Sequence, residues 1–269
     1  MEYLTATEIR DEFGDDVAEL TDAAIVRRLD RLSAYMEEAL GHTFGRALVA
    51  RSSDETHTVE VTDDLLIIGG DTYPLDDYAN LGILVDAVNG VGEAYSLELL
   101  PRVHPETPTS LLKPMAATAC GGSYERRAIL DITAMYLRVN GDGSTHLFLP
   151  LPLRSVLAVT EDGVELASGE YRATPGESWI VRPIERWSTR NPGNVVVIYV
   201  PEVWGRVPGV VKAALLEAFA VASNLTPVVA ESFGGAYSYR RAEARTAGWS
   251  WQDLLGSSSL RPYAVRFQP

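Results

Sequence analysis

The side chains suited to acid–base, nucleophilic or metal chemistry are few and scattered. The histidines His42, His57, His104 and His146 stand far apart, and none shows the H-x-x-x-H spacing that sets two imidazoles on one helix face. The single cysteine, Cys120, lies in Ala119-Cys120-Gly121-Gly122 with no histidine beside it, which reads as a buried structural thiol. It can form no internal disulfide. No G-x-S-x-G elbow, Walker loop or G-x-G-x-x-G fingerprint occurs, and Gly90-Val91-Gly92 lacks the third glycine. Asn140-Gly141-Asp142-Gly143-Ser144 has oxygens at the first, third and fifth positions of a calcium loop, but Leu151 occupies the twelfth, so a hairpin turn accounts for it better. The acidic pairs Glu161-Asp162 and Asp76-Asp77 fall at turn signals, where Asp bonds local backbone. The sequon Asn224-Leu225-Thr226 is followed by Pro227. These residues give no catalytic group, cofactor or metal site. The expectation is a non-enzymatic protein that works through its surfaces.

Composition narrows what those surfaces meet. The 269 residues carry 37 acidic and 23 basic groups, a formal −14, with 46% hydrophobic residues. That is a globular composition, and its sign disfavours tight non-specific binding to phosphates. Residues 1–40 hold eleven acidic and four basic residues, a net −7, whereas 240–269 hold five arginines and two acids, a net +3. No secretory leader is visible, and the longest apolar stretch, Val207 to Leu225, is interrupted by Lys212 and Glu217, so no membrane partner is expected.

The patterning predicts helical ends around a β-rich middle. Thr7 to Phe13 reads as a short helix capped by Thr5 or Thr7; Thr21 caps a longer one, with Ile25, Leu29, Leu32, Met36 and Leu40 on a single face and Gly41 as its stop. Strands are predicted over 58–62, 65–68, 83–88, 95–100, 128–138, 145–149, 155–161, 171–174, 179–182 and 195–200, with Asn89-Gly90 as a hairpin turn and 101–123 as a long loop. Pro208 opens a helix over Val210 to Ala222 that is apolar nearly all round, which calls for burial on several sides and suggests a neighbouring subunit on Val211, Leu215, Leu216 and Phe219. Trp249 to Leu255 allows one more short helix.

A family resemblance follows from the order of several short motifs. Tyr3-Leu4-Thr5-Ala6-Thr7-Glu8-Ile9-Arg10, then a helix ending Ala39-Leu40-Gly41-His42-Thr43-Phe44-Gly45-Arg46, resembles the start of tailed-bacteriophage head-to-tail adaptor (head-tail connector) proteins. The Leu-Pro run from Leu147 to Val156, the Asp162-Gly163 hairpin, Val195 to Tyr199, and Val207-Pro208 opening an Ala/Leu-rich helix are similar to that family's later segments. So is Glu231-Ser232-Phe233-Gly234-Gly235-Ala236-Tyr237-Ser238-Tyr239. The resemblance covers roughly 1–46 and 136–255; the stretch from about 50 to 133 departs from it and reads as an inserted domain.

The resemblance implies a virion protein at the capsid–tail junction, assembled in the host cytoplasm. It would form a dodecameric ring beneath the portal protein, meet a stopper or tail-completion protein, and pass double-stranded DNA through its lumen. The expected fold is α+β, with a helical core of two N-terminal helices and a long C-terminal helix, a β-rich middle and an inserted β domain. The expected division is 1–49, 50–133, 134–226 and a docking arm over 227–269. Asp11, Glu12, Asp15, Asp16 and Glu19 are the candidate lumen-lining acids, and Tyr237, Tyr239, Arg240, Arg241, Trp249 and Trp251 the candidate portal-docking residues. The rival expectation is a β-rich ligand- or carbohydrate-binding module of a phage particle, using some of Trp179, Trp187, Trp204, Trp249 and Trp251.

Overall fold

Local hydrogen bonding sets the N-terminal helices. The computed structural model describes residues 3–91, 94–122, 127–204 and 207–223, together with the backbone of 231–233 and 237–239. Helix α1 (Ala6–Phe13) starts with a capping box: the Thr5 hydroxyl accepts from Glu8 N at 3.1 Å, and Glu8 Oε2 accepts from Thr5 N at 2.8 Å. A 3-10 turn over Gly14–Val17 leads to α2 (Asp22–Leu40), capped by Thr21 and stopped by Gly41 at φ 77°. The stripe Ile25, Leu29, Leu32, Met36 and Leu40 is buried, as its spacing requires.

From Thr43 the chain is β-rich. Strand β1 (Arg46–Ser52) is the centre of a three-stranded antiparallel sheet. Strands β2 (Thr58–Val61), β3 (Leu65–Ile68) and β4 (Asp71–Pro74) form a meander. Helix α3 (Leu81–Gly90) follows, then β5 (Tyr95–Leu99), which pairs with β1, and β6 (Met115–Ala119), which closes the edge of the meander beside β2. On that edge Thr118 Oγ1 donates to the carbonyl of Ala116 at 2.8 Å. Strand β7 (Ala128–Asp131) pairs with the other side of β1. One core holds these sheets and α3 together, with Leu48, Ala50, Val59, Leu66, Ile68, Leu84 and Leu130 among its buried members.

A second core follows. Strands β8 (Met135–Val139), β9 (His146–Phe148), β10 (Leu153–Glu161), β11 (Val164–Glu165), β12 (Arg172–Ala173), β13 (Trp179–Val181) and β14 (Val195–Pro201) make two sheets, in the orders β11-β10-β14-β8 and β12-β13-β9. Leu147 and Ile180 from the smaller sheet meet Val159, Val195, Val197 and Tyr199 from the larger, around buried Trp187. Helix α4 (Gly209–Ala222) and a hairpin of β15 (Glu231–Phe233) and β16 (Tyr237–Tyr239) complete the described elements. Two compact units emerge. One joins Met1–His42 to the segment that begins at Val207; the other holds Thr43–Gly122 and Arg127–Arg206, so it spans both the stretch read as an insertion and the strands after it.

The expected fold class is overturned. Sixteen strands in five antiparallel sheets, one of them the β15-β16 hairpin, dominate the described residues; the α-helices among them number four, and the C-terminal one is only 14 residues long. Among the described residues there is no long C-terminal helix to form the core of an α+β fold. The apolar stripes of the end helices are real but short, and they outweighed strands that carry weaker patterns.

Other corrections have local causes. The predicted strand over 83–88 is helix α3: the Asn80 side chain caps it by accepting from Ile83 N at 3.0 Å, and Leu81, Leu84 and Val88 are buried on one face. A run of apolar residues broken only by Gly82 and Asp86 hid that period. Asn89 is therefore not a hairpin turn; its side chain acts as a strand surrogate, accepting from Leu97 N at 2.9 Å and donating to Leu97 O at 2.8 Å. The predicted loop over 101–123 contains β6, and the predicted strand over 128–138 is two strands in different sheets. Asn89→Ala should cost about 1–3 kcal/mol, because it strips both partners from a buried backbone unit. Urea unfolding at neutral pH measures it as a lower midpoint at unchanged slope.

Candidate functional site

The N-terminal acids come together on one exposed stretch. Asp11, Asp15, Asp16 and Glu19 are solvent-exposed on α1 and the turn after it, Glu12 is half-buried, and the intervening Phe13 and Val17 face inward. Among the described residues, no ion pair neutralises Asp11, Asp15, Asp16 or Glu19. The scaffold beneath them is pinned at three points. Arg10 reaches Asp22 Oδ1 at 2.6 Å and the carbonyl of Leu20 at 2.7 Å. Lys212 on α4 donates to Glu8 Oε1 at 3.0 Å. Phe13 stacks on Phe219 at a centroid distance of 5.9 Å. The pins hold a patch of like charge in place against its own repulsion.

Helix α4 buries part of its apolar circumference within the chain. Val211, Leu215 and Phe219 are wholly buried and Leu216 is half-buried, so the first three are covered without a second subunit. Of the predicted docking residues, Tyr237 and Tyr239 lie in β16, of which only the backbone is described; Arg240, Arg241, Trp249 and Trp251 lie outside the described residues, as does the possible helix over 249–255. Of the candidate sugar-binding tryptophans, Trp187 and Trp204 are buried and Trp179 is exposed.

One constellation escaped the sequence reading. Ser52 Oγ lies 2.8 Å from His57 Nδ1, and His57 Nε2 faces Asp54 Oδ2 at 3.8 Å. The residue types are those of a Ser-His-Asp triad. The hydroxyl, however, is already engaged: it accepts from Asp54 N at 3.0 Å and lies 3.0 Å from the carbonyl of Ala94. Asp54 Oδ1 accepts from Thr56 N and Thr56 Oγ1, bonds that hold its carboxyl below the usual range. The ring of Tyr95 packs edge-on against His57, and Cys120 Sγ points to the His57 carbonyl at 3.6 Å. Burial pushes the Cys120 thiol up, away from the reactive thiolate. A Cβ on Gly121 would sit 1.7 Å from the Asp54 carbonyl, so the turn and the β6 exit pack backbone to backbone. This network ties a turn to its neighbours. Its sequence signal is Ser-x-Asp-x-x-His over six residues, Ser52 to His57.

The remaining candidates also serve the fold. Glu161 is bound by Arg182 and accepts from Ser188 N at 2.6 Å, while Arg182 also pairs with Glu185 and lies over the Trp187 ring. Asn140 and Asp142 spend side-chain oxygens on Gly193 N and Ser144 N, and the bonds from Ser144 hold the Asp142 carboxyl low. Glu106 joins Tyr136 and Arg138 across an exposed surface, and Arg138 holds its carboxyl below the usual range. His104 stacks on Tyr136. No set of three metal-ligating side chains occurs among the described residues, and no helix there is long and apolar enough to cross a membrane. Comparison with protein-family models and with curated proteins gives no match.

The scaffold of the acidic patch has a pH signature. Burial raises the affinity of Glu8 for its proton, but the hydrogen bonds and charge of Lys212 and the bonds from Thr5 outweigh it and hold the carboxyl below its ordinary 4.5. A depressed carboxylate contributes stability above its unfolded value and loses it as pH falls through the folded one. Glu8→Gln should therefore lower the thermal midpoint at pH 7, and the gap to wild type should close as pH falls below 4.5. Thermal scans at a series of pH values measure that gap.

Proposed function

We propose that this protein is a structural virion protein, a head-to-tail adaptor that forms a ring beneath a portal and lets duplex DNA pass. The motif order described above suggests the reading. The observation that carries it is the exposed group of Asp11, Asp15, Asp16 and Glu19, without an ion pair among the described residues and held on a pinned pair of helices. A lumen lined this way repels phosphate and lets DNA slide without sticking. Ring contacts fall to surfaces other than Val211, Leu215 and Phe219, and the basic segment from Arg240 onward supplies complementary charge toward an acidic portal or stopper surface.

The test is native mass spectrometry of the purified chain, alone and with the portal of the same particle. A ring, alone or dependent on portal, is expected; a chain that stays monomeric in both overturns the proposal. A second measurement addresses the lumen. Duplex DNA should bind weakly and with a shallow salt slope, and Asp11→Lys/Asp15→Lys/Asp16→Lys should raise both the affinity and the slope. Tight, salt-steep binding by the wild type would contradict an acidic channel.

A further inference from the structure

The geometry points to a binding site for an acidic sugar on the outer face of the β12-β13-β9 sheet. Strand alternation builds the face: Leu147 and Ile180 turn inward to the core, so His146, Phe148, Trp179 and Val181 turn the other way. Phe148 and Trp179 are directly opposite one another in the β9–β13 register, at 50% and 37% exposure. Trp187 and Trp204 are buried by comparison. Two neighbouring aromatic side chains left in water on a well-packed sheet are an unused stacking surface.

The next row across the same face selects the charge. His146 opposes Val181, and Val181 opposes Arg172. Arg172 is exposed and has no hydrogen bond or ion pair among the described residues. His146 uses Nδ1 near Thr145 Oγ1 at 3.0 Å. The ionisable groups at these outward positions are thus both potential cations, in a chain of net −14. Such a face is complementary to an occupant with a flat apolar side and an anionic edge. A hexuronate ring has both: its C–H face lies on the aromatic pair, and its carboxylate projects from the ring edge. The two rows are two residues apart along the strands, about 7 Å. That spacing brings the carboxylate to Arg172, which can hold it through two parallel N–H donors, and to His146. Single-stranded nucleic acid would use the aromatics, but it is held by several cations tracking its backbone, and this face offers one arginine. The site stands apart from the ring proposal and does not depend on it.

Tryptophan fluorescence of the full chain tests it, titrated with oligosaccharides of galacturonate, of guluronate and of hyaluronan, and with methyl-esterified galacturonate. A saturable change is expected with at least one acid, and the ester should bind at least about fivefold more weakly than galacturonate if that is the responsive acid. Trp179→Ala should weaken the acid by about tenfold or more, while Arg172→Gln should lower only the charge-dependent part of the affinity. Circular dichroism of both variants should match wild type, and a thermal midpoint lowered by Trp179→Ala should leave it folded at the titration temperature, since Trp179 lies on the outer face of the sheet and Arg172 is exposed. Three outcomes overturn the proposal. They are no response to any acid up to about 10 mM, undiminished binding by Trp179→Ala or Arg172→Gln, and a response to oligothymidylate but not to sugars. Sedimentation supplies a fourth: self-association abolished by Trp179→Ala, without a sugar response, would assign the face to a second copy of the chain.

Discussion

The β-rich unit is registered on one strand. β1 is hydrogen-bonded along both edges, to β5 on one side and β7 on the other, and its residues from Arg46 to Ala50 are buried. A strand buried on both faces and paired on both edges has no freedom to slip, because a shift by one residue would exchange the side chains packed on its two faces and misfit both. Its last residue, Ser52, then bridges to Gly121 and engages His57, Asp54 and Ala94. The turn after β1, the start of β5 and the exit of β6 are thereby located by a single strand end. The short distance from Gly121 to the Asp54 carbonyl shows how little room remains there.

The second β core uses a different device. Arg182 is 5% exposed and is charge-paired with Glu161 and Glu185 while it lies over Trp187. Removing one partner of such a buried pair is costly, because it strands the other. Glu161 also receives the backbone of Ser188, so the long irregular segment between β13 and β14 is fastened to the end of β10 by one carboxylate. With its interior fixed this way, the smaller sheet can leave Phe148 and Trp179 on the solvent side without loss of register.

The sequence revealed periodic elements and missed those whose order is imposed from outside. Thr5, Thr21 and Gly41 were readable as helix boundaries because caps act within three or four residues. The alternation in 58–62 and 195–200 was readable because both strands have one buried face. Helix α3 was not, since the apolar run Leu81 to Val88 is interrupted only by Gly82 and Asp86, and the Asn80 cap is the local feature that marks it as a helix. The shape of the acidic patch was half-legible: the charges were plain, but Phe13 and Val17 had to turn inward before Asp11, Asp15, Asp16 and Glu19 formed one surface. The Phe148–Trp179 pair was illegible, because two strands about 30 residues apart had to be placed in register first.

The way the chain is divided has a consequence for its birth on the ribosome. The unit that begins with α1 and α2 is completed only when the segment from Val207 arrives, whereas the long segments of the β-rich unit, Thr43–Gly122 and Arg127–Arg206, are made in between. At translation speeds of roughly 5–20 residues per second, the interval is on the order of ten seconds or more. During it, Phe13 has no Phe219 to stack on and Glu8 has no Lys212. The N-terminal helices therefore emerge with a side prepared for a partner not yet made. Apolar surface left open in such a window favours association, and the exposed acids Asp11, Asp15, Asp16 and Glu19 oppose it by like-charge repulsion.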